Sequence, residues 1–439
     1  MISGIRQVFE RTVVGNSPAS LVKWGKAMPR PVIRRIQTDA FRKAVRYAAR
    51  RQKFFAAKLR ERGIDPLKVR KPEDLGDIFT TPEDLISRPA EDFLCRDPQA
   101  VFETTGTSGP PKRIYFGYDE LDRSARYEAA ALAENGVTTG DRVVCTFDAG
   151  YWVSSWVTYL ACKYLGVLCS AVGKPQPRDV YGRMAAYRYN VIAADPTWLV
   201  SFTEIAEREG VFPVKLILAA GDRMTDVYRN YVQSVWKTPV VLGYGSTEAG
   251  GGLGMECRQS KGYHVDEFNF LFEILEPDSE GYGELVFTTL SRRTEPLIRY
   301  RARDITRLDT NLCTCGATLG RLDMIRGRRD EMVVMGAGNM HPAIFERILH
   351  DVDGISDLWQ VAVRQEGLRD ILEFRLELTN GVDSKRVEES VSRNIEARYP
   401  DIWANHLCDM YHLAFKFLPA GSLAPSRKPR RLIDERNAQ

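Results

Sequence analysis

Thr104-Thr105-Gly106-Thr107-Ser108-Gly109-Pro110-Pro111-Lys112 is the stretch from which the rest of the chain can be read. Hydroxyl residues alternate with two glycines, between an apolar pair (Val101, Phe102) and a strand-like run over residues 113–116. Glycine lets successive backbone N–H groups turn inward into an anion-binding concavity, and the hydroxyls add donors. Such a loop can hold a polyphosphate with few fixed charges. Its spacing is not G-x-x-x-x-G-K-[ST], and a β-rich run follows where a P-loop would open a helix, which disfavours a Walker nucleotide hydrolase. Taken alone, the stretch reads equally as a Thr/Gly/Pro hairpin turn.

Outward from the loop, helix-like and strand-like segments alternate. Residues 120–135 read as a helix, 142–147 as a strand, 151–165 as a helix closed by Gly166, and 167–171 as a strand. The pattern recurs in strands at 191–194, 216–219 and 240–243 and helices at 202–209 and 226–235. That interval predicts α/β layers with a largely parallel sheet. From Phe270 the texture turns β-rich, with strands at 271–275, 283–288 and 297–301. Beyond Arg328 comes a compact α+β segment: strand 331–335, helix 341–350, strands 358–364 and 373–378, and helix 383–399. On the amino-terminal side, residues 38–62 place Phe41, Val45, Ala48, Phe54, Phe55 and Leu59 among basic residues, as an amphipathic helix does. Gly63-Ile64-Asp65-Pro66 ends it, short capped helices follow near Asp74 and over residues 79–85, and residues 1–36 read as a helical leader.

At 439 residues the chain exceeds the size at which one core keeps growing, so at least two domains are expected. Sixty-two basic against 58 acidic residues leave a net charge of +4, and no bulk field argues for nucleic acid. Basic runs at 30–53 and 427–431 read as solvated faces. There is no apolar core of signal-peptide length and no run of roughly 20 apolar residues that would span a membrane, so a cytoplasmic protein without membrane partner is expected. Eight cysteines in a chain this long do not make a disulfide framework, and Cys95, Cys145, Cys162 and Cys169 stand singly.

Three further motifs bear on chemistry. Leu242-Gly243-Tyr244-Gly245-Ser246-Thr247-Glu248 ends a strand in a glycine-rich turn. Tyr244 can offer a ring face to a base, Thr247 a hydroxyl to phosphate, and Glu248 a hard oxygen to Mg²⁺. Arg299-Tyr300-Arg301-Ala302-Arg303-Asp304 places an acid after a basic strand, where Asp304 could accept ribose hydroxyls or simply pair with arginines. Gly327-Arg328-Arg329-Asp330-Glu331-Met332 falls where the texture changes and reads as a domain joint.

In this order the motifs resemble the adenylate-forming superfamily of acyl-CoA synthetases, most closely its phenylacetate–CoA ligase branch, from about residue 37 onward. The resemblance matches Thr104 to Gly109, with Lys112, to the phosphate loop. It matches Ala219-Ala220-Gly221-Asp222 to the segment beside adenine, Tyr244 to Glu248 to the adenine and Mg²⁺ motif, and Asp304 to the ribose acid. Arg328 and Asp330 match the hinge motif, and Lys428, six residues before Asp434, matches the catalytic lysine. The implied architecture is α/β: a large N-terminal domain over 1–329 with layered, largely parallel sheets and a β-rich subdomain, then a mobile C-terminal α+β domain over 330–439. The implied reaction converts a carboxylic acid and ATP to an acyl-adenylate and pyrophosphate, and then transfers the acyl group to CoA. Delivery to a carrier protein, transfer of AMP to another small molecule, and a non-catalytic nucleotide-binding protein are the alternatives, and homodimerisation stays open. The family's usual Thr-Gly before the ribose acid is Ala302-Arg303 here, its Arg-Gly in the hinge loop is Gly336-Ala337, and the Gly before its catalytic lysine is Arg427.

Phe147, Tyr151, Trp152, Gly243 and Gly250 are the acyl-pocket candidates, with Gly250-Gly251-Gly252 leaving room beside an adenylate. Trp152, Trp156 and Tyr159 share a helix face, a stripe that is more often core than pocket wall. The pocket is expected to take an aromatic or other small apolar acid. Finally, Cys257-x6-His264 and Cys313-Thr314-Cys315 make a Cys₃His set of the kind that closes a structural zinc site, and members of the resembled branch often carry such a cluster at these positions.

Overall fold

The structure is a computed structural model that describes residues 26–104, 111–329, 332–336, 338–379, 382–419, 421–423 and 431–436. Thr105 to Pro110, Asp330 and Lys428 therefore lie outside the described residues, as do Ala337 and Arg427.

A nine-stranded sheet forms the centre. Its order is Leu308–Asp309, Arg321–Leu322, Ser260–Val265, Gly251–Cys257, Val240–Ser246, Leu216–Ala219, Val191–Ala194, Arg142–Cys145 and Leu168–Ala171. From Val240–Ser246 to Leu168–Ala171 every pairing is parallel, as the strand–helix alternation predicts. The other half is antiparallel and was not read from the sequence. Val191–Ala194 and Leu216–Ala219 are buried at every position, which suits parallel strands covered on both faces. Helices Pro196–Glu209 and Asp226–Trp236 pack against each other through stacked rings, with Trp198–Phe202 centroids at 4.8 Å within the first and Phe202–Trp236 at 5.5 Å between the two. Asp195 caps the first of these helices by accepting from the Trp198 backbone N–H, and Thr225 caps the second by accepting from Tyr228.

An antiparallel sheet of Phe270–Leu275, Gly283–Thr289, Tyr300–Thr306 and Gly327–Arg328 forms the β-rich part. The third strand begins three residues later than the expected start at 297. Arg299 has φ +50°, which breaks the run, so Leu297 and Ile298 are buried ahead of the strand. After it come a mixed sheet of order Tyr411–Leu418, Arg369–Leu378, Ile355–Glu366 and Leu432–Asp434, and helices Pro342–Leu349, Ser384–Arg398 and Pro400–Leu407. The hydrophobic core runs continuously from the central sheet into this last layer, through Val333, Met335 and Tyr411.

Other elements are shifted. The basic amino-terminal helix starts at Arg30, runs to Arg51 with Ile33, Phe41 and Val45 inward, and breaks at Gln52 before Lys53–Glu61. The helix expected at 151–165 is Val153–Leu165, and Trp152 is its N-cap.

Candidate active site

The quoted loop is carried by a hairpin: Ala100–Glu103 pairs antiparallel with Arg113–Phe116, and the Thr104 N–H donates to Lys112 O at 3.0 Å. Lys112 leaves this hairpin to meet the turn at the end of Val240–Ser246. Its Nζ donates to Glu248 Oε1 at 2.5 Å, and the Tyr300 hydroxyl donates to the same oxygen at 2.8 Å. Glu248 is buried. Burial alone would push its carboxyl up, but the Lys112 ammonium and these hydrogen bonds overcome that and hold it at about 2.

The turn needs glycine for a definite reason. A Cβ on Gly245 would sit 2.2 Å from Gly251 O, because the strand Gly251–Cys257 folds straight back on Val240–Ser246. The Tyr244 hydroxyl donates to Asp304 Oδ2 at 2.5 Å, while Arg328 Nη1 donates to Asp304 Oδ1 at 2.7 Å. Asp304 thus has an arginine partner, but it is Arg328 rather than a neighbour on its own strand. On Tyr300–Thr306 the even-numbered residues face inward, which aims Asp304 at Tyr244.

These groups share one cavity of about 1670 Å³. Its lining includes Thr104, Lys112, Tyr244, Gly245, Ser246, Thr247 and Glu248. Asp304 and Arg328 line it as well, as do Gly221 and Asp222. Of the acyl-pocket candidates, Phe147, Trp152 and Gly243 line it. Tyr151 and Gly250 are not among the lining residues. Tyr151 is 64% exposed, and a Cβ on Gly250 would meet the Phe116 ring at 2.5 Å rather than open space. Trp156 and Tyr159 are half exposed, so of the aromatic stripe Trp152 alone lines the cavity.

Asp222 has a partner that motif reading missed. Arg436, almost wholly buried, stands 3.6 Å from Asp222, donates to Asp370 Oδ2 at 2.8 Å and to Val334 O at 2.6 Å, and pairs with Asp434 at 2.9 Å. Burial pushes the Asp222 carboxyl up to about 7 despite Arg436. Tyr300 and Glu128, both on the cavity wall, were also missed. For Glu128 the signal was present, as a charge in the apolar stripe Leu121, Ala125, Leu132. Arg436 had no signal, because its partners lie far away in sequence.

At the antiparallel end of the central sheet, Cys257, His264, Cys313 and Cys315 bring one ligand atom each to within 4.8 Å of one another. Cys257 Sγ and Cys313 Sγ are 3.9 Å apart, and Cys315 Sγ lies 3.5 Å from His264 Nε2. A tetrahedral zinc with bonds of about 2.3 Å to sulfur and 2.0–2.1 Å to nitrogen requires edges of roughly 3.8 and 3.5 Å. The donor set fits. The backbone N–H groups of Cys315 and Ala317 point at the Cys313 and Cys315 sulfurs.

The arrangement defines a class: the chain has the fold of the acyl-CoA ligases of the adenylate-forming superfamily. A solved structure of 2-hydroxyisobutyryl-CoA ligase with 2-HIB-AMP and CoA, in the thioesterification state, matches with a TM-score of 0.79 at 20% identity, covering 95% of this chain and 92% of that one. The same ligase in the postadenylation state with 2-HIB-AMP matches with a TM-score of 0.66 over the same shares, at 19% identity. In sequence, the chain is a homologue of the phenylacetate–coenzyme A ligases. The enzyme of Thermus thermophilus is 28% identical over 375 residues, 81% of this chain and 83% of its own length. That of Pseudomonas putida is 25% identical over 362 residues, 79% of this chain and 82% of its own length. No protein-family model matches the chain.

Proposed function

We propose that this cavity activates a small carboxylic acid with ATP, releasing pyrophosphate, and then transfers the acyl group from AMP to the thiol of CoA. The observation that carries this reading is the convergence of Lys112, Glu248, Tyr244, Asp304 and Arg328 on one cavity. A carboxylate is a poor electrophile, and its attack on an α-phosphate brings two anions together. Positive charge must sit between them. Lys428 is assigned that charge, and the loop from Thr104 to Gly109, with Lys112, is assigned the β- and γ-phosphates. Asp304 is assigned the ribose hydroxyls, and Tyr244 offers its ring to the adenine, with Gly221 and Asp222 alongside. Mg²⁺ held in part by Glu248 would neutralise phosphate charge.

The second step needs a different arrangement, reached by rotation of residues 330–439 about Asp330. The higher TM-score against the thioesterification-state structure supports reading the present arrangement as the thioester-forming one. For the substrate, the wall of Phe147, Trp152, Val153, Gly251 and Gly252 favours a small, partly aromatic acid, in keeping with the phenylacetate named for the relatives. The Cys₃His cluster is assigned a structural zinc, with all four positions taken by protein. Cytoplasmic placement is supported by eight cysteines that form no disulfide among the described residues; no helix there is long and apolar enough to cross a membrane.

The test is pyrophosphate release over a panel including phenylacetate, benzoate and 2-hydroxyisobutyrate, with and without CoA, and with product mass determined. An acyl-CoA mass is expected. Pyrophosphate release without any acyl-CoA would favour another acceptor, and inertness with tight ATP binding would favour the non-catalytic alternative.

A further inference from the structure

One wall of the cavity is less apolar than its neighbours require. Helix Tyr118–Glu134 packs against helix Val153–Leu165 through a stripe that includes Leu121, Ala125 and Leu132, and Glu128 occupies the position between Ala125 and Leu132. Its side chain is buried, 8% exposed, and lines the cavity together with Thr158. The Thr158 hydroxyl donates to Glu128 Oε1 at 2.6 Å. Among the described residues no cation faces this carboxyl, and burial pushes it up to about 7 while the Thr158 hydrogen bond acts in the opposite direction. A carboxyl group offers roughly four lone-pair sites, and here one is used.

The surroundings leave space on the open side. Phe147, Trp152 and Val153 belong to the same lining, and a Cβ on Gly252 would have nothing within 4 Å. Val157, next to Thr158, packs 3.3 Å from the Cβ position of Gly251. The Glu128–Thr158 pair is carried by the helix wall, whereas Asp304 and Arg328 are carried by strands Tyr300–Thr306 and Gly327–Arg328. A buried carboxyl with unused acceptors is costly unless something pairs with it. A purely structural bridge between two helices would not need it to open on the cavity.

We propose that Glu128, oriented by Thr158, recognises a hydrogen-bond donor, a hydroxyl or an amino group, carried by the acyl substrate at the end remote from its reacting carboxylate. The proposal rests on the reading of this cavity as an acid-activating site, and it narrows the substrate from an apolar acid to one with a polar, donor-bearing tail. An acid that lacks the donor leaves the second oxygen of the buried carboxyl without a partner, which costs about 1–3 kcal/mol. At 1.4 kcal/mol per tenfold, the wild-type preference for the donor-bearing acid in kcat/KM is about 10²-fold at the upper end.

The experiment compares phenylacetate with its 3- and 4-hydroxy and 3- and 4-aminomethyl derivatives by pyrophosphate release, in wild type, Glu128→Leu, Glu128→Gln and Thr158→Val. The expected result is a preference for donor-bearing acids in wild type that Glu128→Leu abolishes or inverts. Glu128→Gln should keep much of the preference for a hydroxyl and lose more of that for a protonated amine, which separates the two sources. Thr158→Val, which removes only the orienting hydroxyl, should reduce the ratio and serves if Glu128→Leu does not fold. An identical ratio in wild type and in the variants, or a wild-type preference for unsubstituted phenylacetate, would overturn the proposal while leaving the ligase reading intact. Inertness toward every acid would overturn the ligase reading itself, and this proposal with it.

Discussion

Glu248 is kept ionised by its immediate neighbours. Its folded value of about 2 lies below the ordinary 4.5, so its stabilising contribution is complete above pH 4.5 and is lost as pH falls toward 2. Glu248→Gln keeps the size and the Tyr300 hydrogen bond but removes the charge. Acid unfolding of the variant should therefore be less steep between pH 4.5 and 2, and adenylation at limiting Mg²⁺ should drop on the order of 10²-fold. Unchanged turnover at limiting Mg²⁺ would assign Glu248 to structure instead. Arg303 makes a second single-residue case. It holds φ +68°, in the left-handed region, at the position where the resembled family usually has glycine. Its guanidinium donates to Glu83 at 2.8 Å, an exposed partner, while Arg301 already pairs with the buried Glu284. Arg303→Ala loses the ion pair and keeps the backbone cost, whereas Arg303→Gly loses both. Denaturant unfolding should place Arg303→Gly about 1 kcal/mol above Arg303→Ala. The reverse order would show that the left-handed backbone carries no cost at this position.

Between elements, the Cys₃His cluster joins strand Gly251–Cys257, strand Ser260–Val265 and the loop that carries Cys313 and Cys315. A shared ion would tie three segments that are also linked by short antiparallel pairings. Elemental analysis should give about one zinc per chain, and Cys315→Ser should lower thermal stability more than an exposed substitution such as Lys237→Ala does. Metal-free protein with unchanged stability in chelator would remove the assignment. The same region shows why some elements were legible and others were not. Val191–Ala194 and Leu216–Ala219 are apolar runs flanked by capped helices, and composition alone marks them. Gly251–Cys257 begins Gly-Gly-Leu-Gly and has no alternation, because its glycines answer to close backbone approach: a Cβ on Gly254 would lie 2.9 Å from His264 O. Helix Pro177–Tyr187 buries only Val180 and Met184, too few apolar positions to show a period. Motif residues at turns were readable, since glycine and hydroxyl spacing is local. The positions of Glu128 and Arg436 depend on partners far along the chain, and no local pattern shows them.

Across the whole molecule, residues 332–436 are held against the rest by specific contacts. Arg369 donates to both oxygens of Glu204 at 2.9 and 2.6 Å, the Tyr228 hydroxyl donates to Asp370 Oδ1 at 2.6 Å, and Lys174 donates to Gly336 O at 2.8 Å. If rotation about Asp330 separates the two half-reactions, these contacts belong to one arrangement, and breaking them favours the other by their differential free energy. Each is worth on the order of 1 kcal/mol, so Glu204→Gln combined with Tyr228→Phe should shift the balance by roughly tenfold or more. On the thioester-forming reading, that double variant should slow conversion of a supplied acyl-adenylate and CoA to thioester relative to formation of the adenylate. Lys428→Ala should do the opposite. Its charge matters when carboxylate meets α-phosphate and little once that bond exists, so adenylate formation should fall on the order of 10²–10³-fold while a supplied adenylate is still converted. Arg430→Ala controls for a generic loss of charge near the chain end. Rates of both half-reactions, measured separately for all three proteins, decide the matter. Losses in the same half-reaction for Lys428→Ala and for the Glu204/Tyr228 pair would rule out two arrangements with divided labour, because a lysine and a set of contacts that serve opposite states cannot fail together.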